Sequence, residues 1–264
     1  MKKQFRIIAL LFLFATMSFM ARAWGVLGHR IVGEIADSYL TTKAKAEIKK
    51  ILGTESVAMS STWADFIYSD STYDHLKPWH YINLDSGLTT EHLHHYLEQD
   101  TAADVYTKLN FLIRELRNKN LAADKKKMYL KLLIHFVGDA HQPMHTARKA
   151  DYGGNRIKVT WFNNPTNLHA VWDESLVNFQ QLSYTEYATA INHTTLNQRK
   201  LWQAQPISDW IIESYQISQK IYSEITEPTP KFGYDYNFRH IKTVNERLLK
   251  GGIRLAGILN SIFK

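Results

Sequence analysis

Apolar residues recur along most of this 264-residue chain at intervals of three and four, the spacing of a helix with one buried face. Ile31, Val32, Ile35 and Leu40 predict a first helix over residues 29–40. Thr41 and Thr42 can cap a second over residues 43–52, closed by Gly53. Ser60 and Ser61 can cap a third carrying Trp63, Asp65, Phe66 and Ile67. Residues 78–83 are aromatic and β-branched after a proline and read as an extended loop segment. Val105, Leu109, Leu112 and Leu116 mark an amphipathic helix. Gly153, Gly154 and Asn155 read as a turn, and Ile157, Val159 and Trp161 alternate with Lys158 and Thr160 as in a short strand. Residues 167–173 open another helix. Two long helices follow, one over about 207–225 with Trp210, Ile217, Ile221 and Ile225 on one stripe. The other runs from about 237 to the end, with Ile241, Val244, Leu248, Leu255, Leu259 and Ile262 inward. Arg247, Lys250 and Arg254 on its far side read as a solvated face. The pattern predicts an all-α or mainly α single domain, helices around a polar cleft, with at most a short β-hairpin.

One segment departs from this division of faces. Between Tyr129 and Val137 nearly every position is apolar, so a helix there is buried all round. His135 and Asp139 lie four apart, on one face of it, and Pro143 breaks the helix just beyond. The turn can swing His145 back toward the same region. A buried carboxylate needs a hydrogen-bonded partner or a metal ion. Taken alone, the segment fits either a metal site or a hydrogen-bonded core histidine with a capping aspartate. Further along, His169 and Asp173 repeat the spacing, and two such pairs on separate helices favour metal.

Composition narrows the chemistry. Residues 1–6 are basic, residues 7–20 apolar, and Ala21-Arg22-Ala23 follows, the layout of a secretory signal cut after Ala23. The apolar run is short for a membrane span. Lys2, Lys3, Arg6 and Arg22 leave with the signal, so the formal charge of +7 becomes 7 − 4 = +3, and composition alone points to no polyanion. With no cysteine and 12 histidines, disulfides and thiolate zinc sites are excluded, and any metal site is built from histidine and carboxylate. The remaining 264 − 23 = 241 residues suit one exported domain, secreted or periplasmic, expected to be a monomer.

Trp24, His29, Asp65 in Trp-Ala-Asp, His80 in Trp-His-Tyr-Ile-Asn, His135, Asp139, His145, His169 and Asp173 form an order that resembles the zinc-dependent single-strand-specific nuclease and 3′-nucleotidase family. That family is related to bacterial zinc-dependent phospholipase C, and the resemblance covers the whole expected mature chain. It implies a helical domain of phospholipase C/nuclease type with three Zn²⁺. Asp65, His80 and His135 would hold one ion, with Asp139 bridging to a second held by His29 and by the α-amine and carbonyl of Trp24. His145, His169 and Asp173 would hold the third. Asp65 and Tyr68 are the catalytic candidates, and Tyr81, Asn83 and Asn155 the substrate-binding ones, Tyr81 stacking on a base and Asn83 bonding its edge. Tyr68 stands where fungal relatives carry Arg or Lys, so the catalytic cation is missing from its usual position. His141 matches no ligand and is expected to be structural. His75, His92, His94, His95, His193 and His240 are expected at the surface. The implied activity is hydrolysis of single-stranded DNA or RNA, and of 3′-nucleotides, to 5′-phosphorylated products by a hydroxide between paired zincs. The competing readings are a phospholipase C and a non-catalytic zinc-binding protein.

Overall fold

In the computed structural model, which describes residues 24–264, the apolar spacing becomes helices with one buried face. The expected signal sequence, residues 1–23, lies outside the described residues. Helix α1 (Val26–Ser38) starts three residues earlier than the spacing predicts and buries Ile31, Val32 and Ile35. Helix α2 (Thr42–Leu52) is capped by Thr41, whose side chain accepts from the Ala44 amide, and stops at Gly53 with φ 74°, where a side chain would be strained. The single helix expected after Ser60 and Ser61 is instead two short ones, α3 (Val57–Ser60), capped by Ser56, and α4 (Trp63–Phe66). Ser60 and Ser61 cannot cap because they are buried and donate to the Val57 and Ala58 carbonyls.

The expected extended segment over 78–83 is half right. A 3₁₀ helix, Ser71–His80, takes up its first part, and Tyr81 then turns extended at φ −148°, ψ 165°. The extended half is held by the chain beyond Pro143: the Ile82 amide donates to the His145 carbonyl (2.8 Å), Leu84 to Ala147 (2.9 Å) and Lys149 to Leu84 (3.0 Å). Helix α5 (Thr90–Gln99) follows, then α6 (Val105–Leu116), which buries the four residues of its predicted stripe. Helix α7 (Ala123–Ala140) is buried at every position from 130 to 140, Lys131, His135 and Asp139 included, as a segment apolar at nearly every position requires.

Strands β1 (Lys158–Trp161) and β2 (Asn164–Asn167) form the expected hairpin, with Lys158 opposite Asn167 and Trp161 opposite Asn164. Phe162 and Asn163 at its turn both have positive φ (47° and 68°), as a two-residue hairpin loop demands. A third strand, β3 (Lys231–Phe232), adds in parallel to β1, so the sheet exceeds a hairpin. Asn167 then caps helix α8 (residues 168–178) by accepting from the Ala170 amide at 2.8 Å. Its middle, Val171–Ser175, is a wide π turn.

Helices α9 (Tyr184–Ile191), α10 (Leu196–Ala204), α11 (Ile207–Ser223) and α12 (Tyr234–Ile262) complete the domain. No helix among the described residues is long and apolar enough to cross a membrane. Helix α12 lies so close to α1 that a Cβ on Gly252 would stand 2.5 Å from Ile35 Cγ2. That approach overturns the solvated reading of its basic stripe. Arg247 and Arg254 are each only 1% exposed and straddle Glu213 of α11, Arg247 Nη1 at 2.7 Å and Arg254 Nη1 at 2.9 Å from Oε2. Burial pushes the Glu213 carboxyl up, but the two guanidinium groups outweigh it and hold the carboxyl at about 2. Only Lys250 of the three keeps contact with solvent. His240, expected at the surface, is also buried, against the Trp172 ring with Nε2 3.0 Å from Glu224.

Candidate metal centre

Four parts of the chain deliver carboxylates and imidazoles to one buried place. Helix α1 brings His29, α4 brings Asp65, the end of the 3₁₀ segment brings His80, and α7 brings His135 and Asp139. The 3₁₀ turn Pro143–Thr146 adds His145, and α8 adds His169 and Asp173. All eight are buried. Their ligand atoms fall into three groups: His29, Asp65 and His135; His80, His135 and Asp139; and His145, His169 and Asp173, with the atoms of each group within 4.8 Å of one another.

Asp139 stands at the middle. Its Oδ2 lies 3.1 Å from His80 Nδ1 and 3.2 Å from His135 Nε2. Its Oδ1 lies 3.5 Å from His29 Nε2 and 3.4 Å from His145 Nδ1. One carboxylate thus presents its two oxygens to different sets of imidazoles, the arrangement of a bridging ligand. His135 Nε2 is also 3.6 Å from Asp65 Oδ1. In the separate group, His169 Nε2 is 2.9 Å and His145 Nε2 3.6 Å from the Asp173 carboxylate.

The imidazoles are aimed by their other nitrogens. His135 Nδ1 donates to the Ser61 carbonyl at 2.6 Å, His145 Nδ1 to His80 at 2.7 Å and His169 Nδ1 to Gly153 at 2.7 Å. In a neutral imidazole a backbone acceptor on Nδ1 leaves the Nε2 lone pair free, the usual support of a metal-ligating histidine. Gly153 can offer that carbonyl only as glycine, since its φ is 63° and a Cβ would stand 2.3 Å from the Met144 carbonyl oxygen. Gln142, fully buried, donates from Nε2 to Asp173 Oδ1.

The donors fit a cation better than they fit one another. His29 Nδ1 and Nε2, Asp65 Oδ2, Asp139 Oδ1, His145 Nε2 and Asp173 Oδ2 are buried with no hydrogen-bond partner among the described residues. Such atoms each forfeit their hydration. Two ligands about 2.0–2.1 Å from one tetrahedral zinc stand roughly 3.3 Å apart, and the spacings above, 2.9–3.6 Å, bracket that value. The electrostatics agree. Burial lowers the imidazolium form of His135, but Asp139 and Asp65 overcome it and lift the pKa to about 9. Burial likewise opposes a charge on His145, and Asp139 and Asp173 lift it to about 9. His29, lowered by burial and by His135, stays neutral. The carboxylates call for positive charge that the imidazoles carry only by protonation.

Trp24 sits beside this centre, its indole fully buried against Gly28 and within reach of Gly138. The substrate-binding candidates are all at least partly exposed. Tyr81 is 40% exposed, and the phenols of Tyr68 and Tyr152 are near enough to act on it electrically. Asn83 is half-buried two residues on, where the chain pairs with 145–149. Asn155, beside the Gly153 carbonyl that holds His169, gives its amide to the Tyr152 carbonyl at 2.7 Å. The Tyr68 ring lies edge-on to His80 at 6.3 Å. Lys77 brings an ammonium to 4.8 Å from the Tyr68 ring while pairing with Asp74 at 2.6 Å.

His141 is structural: it is buried, donates to the Val137 carbonyl and accepts from Arg254 Nη1 at 2.9 Å. In the sequence Ser61 reads only as a helix cap and Gly153 only as part of a turn, and nothing points to the supporting roles of these two, of Gly138 or of Gln142. Gln142 is the most visible of these, a polar residue directly before the Pro143 that ends the buried helix.

A family model described as S1/P1 nuclease matches residues 24–264. Endonuclease 3 of Arabidopsis thaliana is 30% identical over 92% of this chain and 90% of its own length. Nuclease S1 of Aspergillus oryzae is 32% identical over 58% of this chain and 54% of its own. Nuclease P1 of Penicillium citrinum is 31% identical over 57% of each.

Proposed function

The chain belongs to the S1/P1 nuclease family, and from that membership, which makes it a nuclease acting on nucleic-acid phosphodiesters, we propose that it is an exported, zinc-dependent enzyme for single strands. Its products would be 5′-phosphorylated, and 3′-nucleotides would also be substrates. The observation that carries this reading is Asp139, whose two oxygens face different imidazole sets in a centre rich in unpartnered buried donors.

Asp65, His80 and His135 would hold one ion, His29 and Trp24 a second, with Asp139 shared, and His145, His169 and Asp173 a third. Bound zinc supplies Lewis acidity toward phosphoryl and leaving oxygens and makes water acidic near neutral pH. Around it the protein's task is positioning. The backbone acceptors on His135, His145 and His169 fix the ligand nitrogens before substrate arrives. Tyr81, partly exposed beside His80, suits stacking on an unpaired base, a contact of about 1–3 kcal/mol that duplex DNA cannot make. Asn83 would bond that base's edge, and Asn155 a phosphate oxygen. Tyr68 can donate a neutral hydrogen bond to the phosphate, with the Lys77 ammonium behind its ring. Removal of residues 1–23 would free the Trp24 amine, and an α-amine can lose its proton to a metal near neutral pH as an amide cannot.

The test is a side-by-side assay of single-stranded DNA, RNA, duplex DNA, a 3′-nucleotide and phosphatidylcholine. The expected result is fast hydrolysis of single strands and 3′-nucleotides, slow attack on duplex and none on the lipid. Preferential hydrolysis of phosphatidylcholine would overturn the substrate assignment.

A further inference from the structure

An open groove of about 440 Å³ lies between α4, the 3₁₀ segment and the first half of α7. Trp63 and Tyr73 form its aromatic wall, edge to face at 5.7 Å. Lys125, Lys127 and Lys131 of α7 line it together with Asp124 and Met128. Lys131 is pinned, paired with Glu55 at 2.7 Å and held 5.6 Å from the Trp63 ring. Lys125 and Lys127 are exposed.

Both walls continue elements that carry metal-site residues. Trp63 precedes Asp65 by two residues on α4. On α7, Asp124, Met128, Lys131 and His135 are spaced four, three and four apart, one face of a single helix. At 1.5 Å per residue, Lys131 lies about 6 Å and Lys127 about 12 Å along the axis from His135. Tyr73 is also the common wall of this groove and of a small cavity lined by Tyr68, Lys77 and His80. The groove therefore begins within about one nucleotide of the metal centre and leads away from it.

We propose that this groove binds the nucleic-acid strand where it leaves the metal centre. Its phosphates meet Lys125 and Lys127, and its bases face Trp63 and Tyr73. This rests on the nuclease reading and extends it: the occupant is polyanionic with flat apolar faces, and only a substrate longer than a dinucleotide reaches it. Cationic side chains opposite aromatic rings are the pairing that holds single strands without regard to sequence.

The experiment compares the zinc-loaded wild type with Lys125→Gln/Lys127→Gln and with a charge-matched control at exposed positions elsewhere, Lys119→Gln/Lys200→Gln. Hydrolysis is followed on a dinucleotide and on a single-stranded 12-mer. Binding of a hydrolysis-resistant phosphorothioate 12-mer is followed against salt. Each phosphate contact on a single strand contributes about 0.7 to the slope of log affinity against log salt. The groove variant is expected to lower that slope by about 1.4, and to raise KM on the 12-mer several-fold more than on the dinucleotide. The control should move neither. An unchanged slope and an unchanged KM ratio would overturn the proposal. If the wild type hydrolyses neither substrate, the nuclease reading fails, and the salt slopes still decide whether the groove holds a strand.

Discussion

Gly138 lies between Val137 and Asp139 on α7 and carries no chemistry of its own, yet a single methyl group there should disable part of the centre. A Cβ on Gly138 would stand 2.8 Å from His29 Nδ1 and 3.0 Å from its Cε1. Ordinary contact begins near 3.4 Å, so His29 must retreat by 3.4 − 2.8 = 0.6 Å. It has nowhere to go, being fully buried and stacked on His135 with ring centroids 3.8 Å apart. A functional constellation tolerates displacements of about 0.5 Å, and overpacking of this kind costs about 1–3 kcal/mol. Gly138→Ala is therefore expected to fold, with a melting temperature lowered by a few degrees. Metal affinity at the site His29 serves should fall about 10–100-fold, while the group His145, His169 and Asp173 keeps its ion. The assay is zinc content after dialysis against a weak chelator, read with turnover on a single-stranded oligonucleotide. A variant with full zinc content and a wild-type rate would refute the reasoning, because it would mean that His29 is free to move or is not a ligand.

Two further perturbations test other parts of the account. A chain prepared to begin at Trp24 and given one extra residue in front has an amide in place of the amine, so it should lose one zinc and most turnover while the His145 group survives; paired zinc analysis and rate measurements check this. Asp104 is buried at the N-cap of α6, where burial first and Asp100 next raise its carboxyl from 3.8 to about 7. Because the folded pKa lies above the unfolded one, the destabilisation is absent below about 3.8, grows through the interval and is complete above about 7. Asn caps a helix as well as Asp does, so Asp104→Asn should raise the melting temperature more at pH 8 than at pH 5, measured by calorimetry; an equal effect at both would contradict the buried-carboxylate argument.

What the sequence made legible was local and periodic. The stripe Val105, Leu109, Leu112 and Leu116 is buried as its spacing predicts, and so is the run from 130 to 140. The two His-x-x-x-Asp pairs lie where helix geometry puts them, and the fold gathers His29, Asp65, His80 and His145 around them. What escaped depends on partners distant in sequence. Nothing near Arg247 or Arg254 announces Glu213, the buried carboxylate that lets a basic stripe turn inward. Ser60 and Ser61 look like caps until their hydroxyls are committed to α3 carbonyls. Strand β3 is two residues long and has no period to detect. Gly138 resembles any small helix residue until His29 is packed against it.

The central claim, that the three His and Asp groups are a zinc centre that hydrolyses single strands, is tested most directly by counting metal and rate together. The chain beginning at Trp24 is stripped with a chelator and titrated with zinc, bound metal is measured by mass spectrometry, and hydrolysis of a single-stranded oligonucleotide is followed at each point. The expected result is no activity in the stripped protein, saturation at three zinc ions per chain and recovery of full rate only as the last sites fill. Full activity in the stripped protein, or saturation without hydrolysis, would contradict it.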